Sequence, residues 1–378
     1  MRILRYLCLP LFLIAAPAGA IAQEKPPKLA KNVILLLADA GGIPTLNAAS
    51  ILGYNAPQKL FVQSWKDAAF MDTSTASQWV TDSAAGMTAI VTGHKTHNGV
   101  ISQGADSVRG KKDGTPLKTI LEYAEERGLA TGVLSNVTIT DATPAACYAH
   151  ANNRSNFASI FMDILTPRFG DGVDIVLGPG RKPIAAAFQA AGKEDGYALA
   201  RAKNRPVYAS LSEVPEDATR AIAIVDGAID LDAAAKRAIR ALSRNPRGYF
   251  LMIESDAHTD DPEAGLSRLV AFDKLIREIA SIVNPEETLL LFTADHSFDL
   301  RILRGGPNEP LLKGLPEWRE KNAGVRTTVT ELPFLSVSHS HTGEEVLVTG
   351  KGPGAERLRG FLPNTEVFHV MMSAFGWK

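Results

Sequence analysis

The chain has 378 residues, with 40 Lys and Arg against 41 Asp and Glu, a net charge of -1 and 45% hydrophobic residues. That apolar fraction with balanced charge excludes a disordered chain. A pI near 6.7 argues against a nucleic-acid partner, which calls for a basic excess, and the length allows one large α/β domain or two to three small ones.

Residues 1–22 read as a secretory signal peptide. Arg2 and Arg5 make a basic start, Leu7 to Ala16 an apolar run, and Ala18-Gly19-Ala20 and Ala20-Ile21-Ala22 two small-residue cleavage sites. The run of roughly ten residues is too short for a bilayer span of about 20. No later stretch is long and apolar enough for one, so a periplasmic or secreted protein without a membrane span is expected. Cys8 leaves with the signal, which leaves Cys147 alone and no intrachain disulfide possible. Cys147 follows Ala145 and Ala146 and reads as a small core residue.

In chain order, Asn32 to Leu37 (NVILLL) is a continuous apolar run, the pattern of a strand buried on both faces. It ends in the glycine-rich turn Ala38 to Gly42. Leu117 to Arg127 predicts a helix stopped by Gly128, and Thr131 to Leu134 a strand. Val173 to Leu177 predicts another strand, closed by Gly178-Pro179-Gly180. Tyr249 to Ile253 and Thr288 to Phe292 predict two more. Between them a helix from Pro262 to about Val283 carries Leu266, Leu269, Val270, Leu275, Ile276 and Ile279 on one face, with Asp261 as its N-cap. Strands alternating with helices predict an α/β fold of three layers, a mainly parallel central sheet with helices on both faces. Residues 23–378 read as one catalytic domain. The Gly/Pro-rich, charged stretch Arg304 to Arg326 reads as a surface excursion near the site.

In such folds ligands bind outside the carboxyl ends of the strands. Asp39, the pair Glu254 and Asp256, and the pair Asp295 and His296 each lie just past a strand. An acid there is also a common helix cap, but several together favour a shared crevice. Asp82-Ser83-Ala84-Ala85-Gly86 enters a helix, where free N–H groups and the helix dipole favour negative charge. Ser83 there is a cap or a nucleophile. No GxSxG elbow is present, so a bound metal is the candidate activator. Thr143 before Pro144 also opens a helix, and Arg154 suits bidentate contact with an oxyanion. Asp39, Thr143 and Glu254 offer oxygens for a hard cation, while Asp295, His296 and His341 bring imidazole suited to zinc.

These blocks resemble the alkaline phosphatase family. NVILLLADAGG is similar to its first strand and metal-binding aspartate, and VTDSAAGMTAIVTGHKTHNGVIS to its nucleophile block, the most specific match. ITDATPAACYAHANNR resembles the magnesium-threonine and phosphate-arginine block. DIVLGPGRK is like a structural block, FTADHS like the Asp-His zinc pair, and SHSHTGEEV like the late zinc histidine. The resemblance implies an alkaline-phosphatase-like fold and a site with two Zn2+ and one Mg2+. Ser83 would become phosphoserine and Arg154 would clamp the phosphate. Asp39 would bridge a zinc and the magnesium, with Thr143 and Glu254 completing the magnesium site and Asp141 just outside it. Asp295 and His296 would hold the zinc that activates Ser83, and His341 the other zinc; His339 would not be a ligand. A homodimer is possible, since the family forms dimers.

One block departs from the family pattern E-x-x-x-x-D-x-x-x-H. Counted from Glu254, its last two ligands fall on Thr259 and Glu263. In extended chain Glu254, Asp256 and His258 project to one side, which nominates Asp256 and His258 for the second zinc, with Asp260 as a rival. The leading expectation is an exported metal-dependent phosphomonoesterase acting on small phosphate monoesters. The alternatives are a phosphodiesterase of the same superfamily and a non-catalytic phosphate- or metal-binding homologue. A sulfatase is disfavoured because its cysteine-derived nucleophile signature is missing at Ser83.

Overall fold

The computed structural model describes residues 28–378; the segment read as a signal peptide lies outside the described residues. Thirteen strands are described: β1 (Asn32–Asp39), β2 (Asp67–Asp72), β3 (Ala130–Ser135), β4 (Ile175–Pro179), β5 (Val207–Tyr208), β6 (Ala221–Val225), β7 (Tyr249–Asp256), β8 (Thr288–Thr293), β9 (Ser297–Ile302), β10 (Val329–Glu331), β11 (Leu335–Thr342), β12 (Val346–Lys351) and β13 (Arg359–Pro363). Ten form one sheet in the order β13-β2-β12-β8-β1-β7-β3-β4-β6-β5, and β10-β11-β9 form a second, small sheet. In the large sheet only β12 runs antiparallel to its neighbours. The strand run β8-β1-β7-β3 at its centre is parallel throughout.

The apolar run of β1 shows why it sits in the middle. Val33, Leu35 and Leu37 enter one core beneath the helices Ser83–Thr92 and Glu366–Ala374. Ile34, Leu36 and Ala38 enter the other, beneath Ile43–Tyr54 and Pro262–Ile282. All six are fully buried. The period-2 alternation of a strand thus places an apolar run of this kind between two helical layers. β8 behaves alike, with Leu289 and Leu291 on one side and Leu290 and Phe292 on the other.

Two predicted elements shift. The helix expected from Leu117 spans Ile120–Glu126, because Thr119 closes a capping box: its hydroxyl accepts from Glu122 N at 3.1 Å while Glu122 Oε2 accepts from Thr119 N at 3.0 Å. The strand expected over Val173 to Leu177 runs Ile175–Pro179 instead. Gly178 continues it because a Cβ there would lie 3.0 Å from Ser135 O on the neighbouring strand. Arg304 to Arg326 includes a helix, Leu315–Lys321, whose Arg319 pairs with Asp261 and Glu263 at the start of Pro262–Ile282. The excursion therefore leans on the turn that carries His258.

Cys147 is free and fully buried, and burial pushes its thiol pKa up. Labelling with a thiol-reactive chromophore is expected to detect no reactive cysteine in the folded mature protein and one after denaturation. Among the described residues no helix is long and apolar enough to cross a membrane.

Candidate active and metal site

The site forms at the carboxyl end of the central strands. Asp39 ends β1 and is paired in register with Asp256 at the end of β7. Glu254 lies two residues earlier on β7, and Asp295 and His296 lie in the short link between β8 and β9. Ser83 is the first residue of the helix Ser83–Thr92. The cap is Asp82, whose Oδ1 accepts from Ala85 N at 3.1 Å, so the serine hydroxyl is not consumed as a cap. Its Oγ lies 3.3 Å from His296 Nε2. Gly86 lets this helix approach β8's end: a Cβ there would lie 2.6 Å from Asp295 O. His341 comes from β11, whose pairing with β9 shifts register between Val337 and His341. Such an irregularity re-aims side chains at a sheet's rim.

The three imidazoles are oriented alike. His296 Nδ1–H donates to Ser297 O at 3.0 Å, His341 Nδ1–H to Thr81 O at 2.9 Å, and His258 Nδ1–H to Asp256 Oδ1 at 2.7 Å. Each Nδ1 is thereby fixed as a donor and each Nε2 is turned inward. His258 and His341 bring their Nε2 atoms to 3.5 Å, and the His296 and His341 rings stack with centroids 3.7 Å apart. Ligand atoms of His258, His296 and His341 lie within 4.8 Å of one another, as do those of Asp39, Asp295 and His296.

The buried oxygens complete the picture. His296 Nε2 stands 3.2 Å from Asp39 Oδ1 and 3.7 Å from Asp295 Oδ2. Two lone-pair atoms facing at such range need a proton or a cation between them. Asp39 Oδ1, Asp295 Oδ2 and Glu254 Oε1 are buried and accept no hydrogen bond of good geometry, which for carboxylates is costly without a positive charge. Thr143 Oγ1 donates to Asp39 Oδ2 at 3.3 Å, and Ser135 Oγ to Glu254 Oε2 at 2.5 Å. The donor set of imidazole plus carboxylate suits zinc, and that of Asp39, Thr143 and Glu254 suits a hard cation. The residues present fit divalent metals.

The electrostatics agree. Burial and the Asp39 charge push Asp295 up to about 7 and Glu254 well above the usual carboxylate range. Burial opposes ionisation of Asp39 too, but the neighbouring His258 and His296 hold it far below that range. Burial and the neighbouring His296 hold His341 down to about 4. Burial disfavours the His258 cation, yet Asp39 and the hydrogen-bonded Asp256 raise it to about 9.

Arg154 faces the same crevice, with NH1 donating to Asp82 Oδ2 at 3.1 Å and NH2 to Asp141 Oδ1 at 2.9 Å. Asp82, absent from the sequence-based candidates, thus joins the helix that Ser83 opens to the arginine. An aspartate before a helical serine is its only sequence signal, and that signal is capping. Asp141 caps Ala142–Ala145 through Ala142 N at 2.7 Å and holds Arg154.

Asp256, expected as a ligand of the second zinc, has both carboxylate oxygens hydrogen-bonded: Oδ1 accepts from His258 and Oδ2 from Arg268, each at 2.7 Å. It stands behind His258 rather than beside it. β7 ends at Asp256, so strand alternation does not extend to His258; the chain turns there, with Ala257 N donating to Asp39 O at 2.8 Å. Asp260 also lies elsewhere: its half-exposed carboxylate is 3.8 Å from His339 Nδ1. His339 Nε2 meets Thr330 Oγ1 at 3.1 Å, and neither residue is in either cluster.

Comparison with known proteins gives one consistent answer. The sequence profile described as alkaline phosphatase matches residues 30–205 and 226–309. Streptomycin-6-phosphate phosphatase of Streptomyces griseus is 30% identical, over 97% of this chain and 96% of that protein. Alkaline phosphatase of Escherichia coli is 27% identical, over 97% and 92% respectively. A mutant alkaline phosphatase of the Antarctic bacterium TAB5, with Mg bound in its M3 site, superposes with a TM-score of 0.73 at 25% identity, covering 93% of this chain and 100% of that one.

Proposed function

The chain belongs to the alkaline phosphatase family and is a phosphoric monoester hydrolase; we propose that it is an exported enzyme that cleaves small phosphate monoesters through a phosphoserine at Ser83. The observation that carries this reading is the convergence of Asp39, Asp295 and His296 on one face of Ser83, at a helix N-terminus. Asp39, Asp295 and His296 would hold one Zn2+ and His258 with His341 a second, while Asp39, Thr143 and Glu254 would hold Mg2+. When bound, these ions supply the positive charge that makes a hydroxyl or water nucleophilic at working pH and offsets charge on the leaving oxygen.

The protein's own groups do the rest. Ser83 gives up its hydroxyl proton to solvent and Oγ attacks phosphorus; an Oγ–P bond forms and the bond to the alcohol oxygen breaks, the alcohol leaving with a proton from solvent. The helix start of Ser83–Thr92, with Ala85 N taken by Asp82, leaves the N–H groups of Ser83 and Ala84 and the helix dipole to stabilise charge on the phosphoryl oxygens. Arg154, pinned by two carboxylates, keeps its remaining N–H donors for two phosphoryl oxygens. Water then attacks the phosphoserine, releasing inorganic phosphate and restoring the hydroxyl. The arginine clamp favours a monoester, because a second ester substituent would occupy an oxygen it needs. Hydrolysis of p-nitrophenyl phosphate faster than bis-p-nitrophenyl phosphate, lost on chelation and restored by Zn2+ with Mg2+, is the expected result. Faster diester turnover, or full activity without metal, contradicts it.

Arg154→Lys keeps the charge but loses the planar fork. A fall in kcat/KM of about 10- to 100-fold is expected for one bidentate charge-assisted contact, with weaker inhibition by inorganic phosphate. Unchanged phosphate inhibition would remove Arg154 from this role. The export reading rests on Arg2, Arg5 and the apolar run after them. Protein recovered from a periplasmic fraction is expected to begin after Ala22, and retention of Met1 there would contradict it.

A further inference from the structure

We propose that Arg268 is a positioning residue: acting through Asp256, it fixes the ring of His258 and so sets how tightly the second metal ion is held. This rests on the metal assignment made above. If Asp39, Asp295 and His296 take one ion, the second is left with two imidazoles, His258 and His341, and with no carboxylate from the clusters. A site with so few ligands depends on how well each is aimed.

His341 sits on a strand, but His258 sits on the short turn between β7 and the helix Pro262–Ile282. The turn is anchored at its start by Ala257 N on Asp39 O and further on by Asp260 near His339 and Asp261 on Arg319, but His258 itself is held by Asp256 and the helix. Asp256 Oδ1 accepts from both the amide N of His258, at 3.1 Å, and its Nδ1, at 2.7 Å. Arg268, on the second turn of the helix, reaches back with Nε to Asp256 O and with NH2 to Asp256 Oδ2, both at 2.7 Å, and NH2 lies 3.3 Å from His258 O. One guanidinium therefore grips the carboxylate, the backbone before the turn and the backbone of the histidine itself. Gly265 closes the arrangement: a Cβ there would lie 2.1 Å from His258 O, so the turn rests directly on the helix backbone. A planar fork with fixed donors suits this three-point grip, and a lysine does not reproduce it.

The test reads metal binding, not catalysis. Purified apoprotein is titrated with Zn2+ against a chromophoric chelator, and bound metal is counted by plasma mass spectrometry. Arg268→Gln is expected to weaken one zinc by about 10- to 100-fold, the usual cost of losing an outer partner of a ligating histidine, while the tighter zinc is unchanged. Asp256→Asn should do the same, and it carries the test if Arg268→Gln does not fold. His258→Ala should lose that same zinc, and adding Arg268→Gln to it should change nothing more. Wild-type zinc binding in Arg268→Gln and Asp256→Asn overturns the proposal. So does equal weakening of both ions, or an effect of Arg268→Gln that persists without His258. The phosphatase reading stands or falls separately: loss of one zinc in these variants from a protein that never hydrolyses a monoester would sink that reading and leave this one intact.

Discussion

Ser83→Ala is expected to lower kcat/KM for p-nitrophenyl phosphate by about four orders of magnitude or more, the scale seen when a covalent nucleophile is deleted. The reason is local. The Ser83 hydroxyl lies in hydrogen-bond range of His296 Nε2, and the cap of its helix is Asp82. Removing Oγ therefore deletes the proposed nucleophile while the helix start, Arg154 and the carboxylates are expected to keep their places. The variant should melt like the wild type and still bind inorganic phosphate through Arg154. Steady-state kinetics with a thermal melt and phosphate inhibition check all three expectations. A Ser83→Ala enzyme with wild-type turnover would show that another group attacks phosphorus.

His296→Ala is expected to be nearly as damaging, by about three orders of magnitude or more in kcat/KM. His296 is fully buried and belongs to both clusters. Its Nε2 lies 3.3 Å from Ser83 Oγ and 3.2 Å from Asp39 Oδ1. Its ring also stacks on His341. Bound metal should fall with activity, and His296→Gln, which fills more of the space, separates loss of the ligand from loss of packing. If the imidazole serves the serine, the two losses are not additive. Ser83→Ala with His296→Ala should then be about as slow as Ser83→Ala alone. A double variant slower by the product of both factors would mean that His296 acts independently of Ser83.

The layout of the fold was legible because its central strands are buried on both faces. Runs such as NVILLL and TLLLF admit few other placements, and the acids and imidazole just past their ends mark the crevice. Less legible were features that depend on distant partners. Asp82 looked like a cap and is one, but its bond to Arg154 joins residues 72 positions apart. Gly86 gives no sign in the sequence that the end of β8 passes against it. The small sheet that presents His341 is built by β9, β10 and β11, and its register shift has no local signature. Alternation within β7 reaches Asp256 but not His258, two residues beyond the strand's end, and it gives no sign of what engages the Asp256 carboxylate. The arginine that occupies its carboxylate comes from the following helix, 12 positions on.

The most direct measurement is to catch the covalent intermediate. The enzyme is mixed with a phosphate monoester, quenched in acid within the first turnovers, digested, and its peptides sequenced by mass spectrometry. The account predicts one phosphate on the peptide containing Ser83, on that serine, and none in Ser83→Ala. Rapid release of inorganic phosphate with no phosphorylated peptide, or with the phosphate on a different residue, would contradict it.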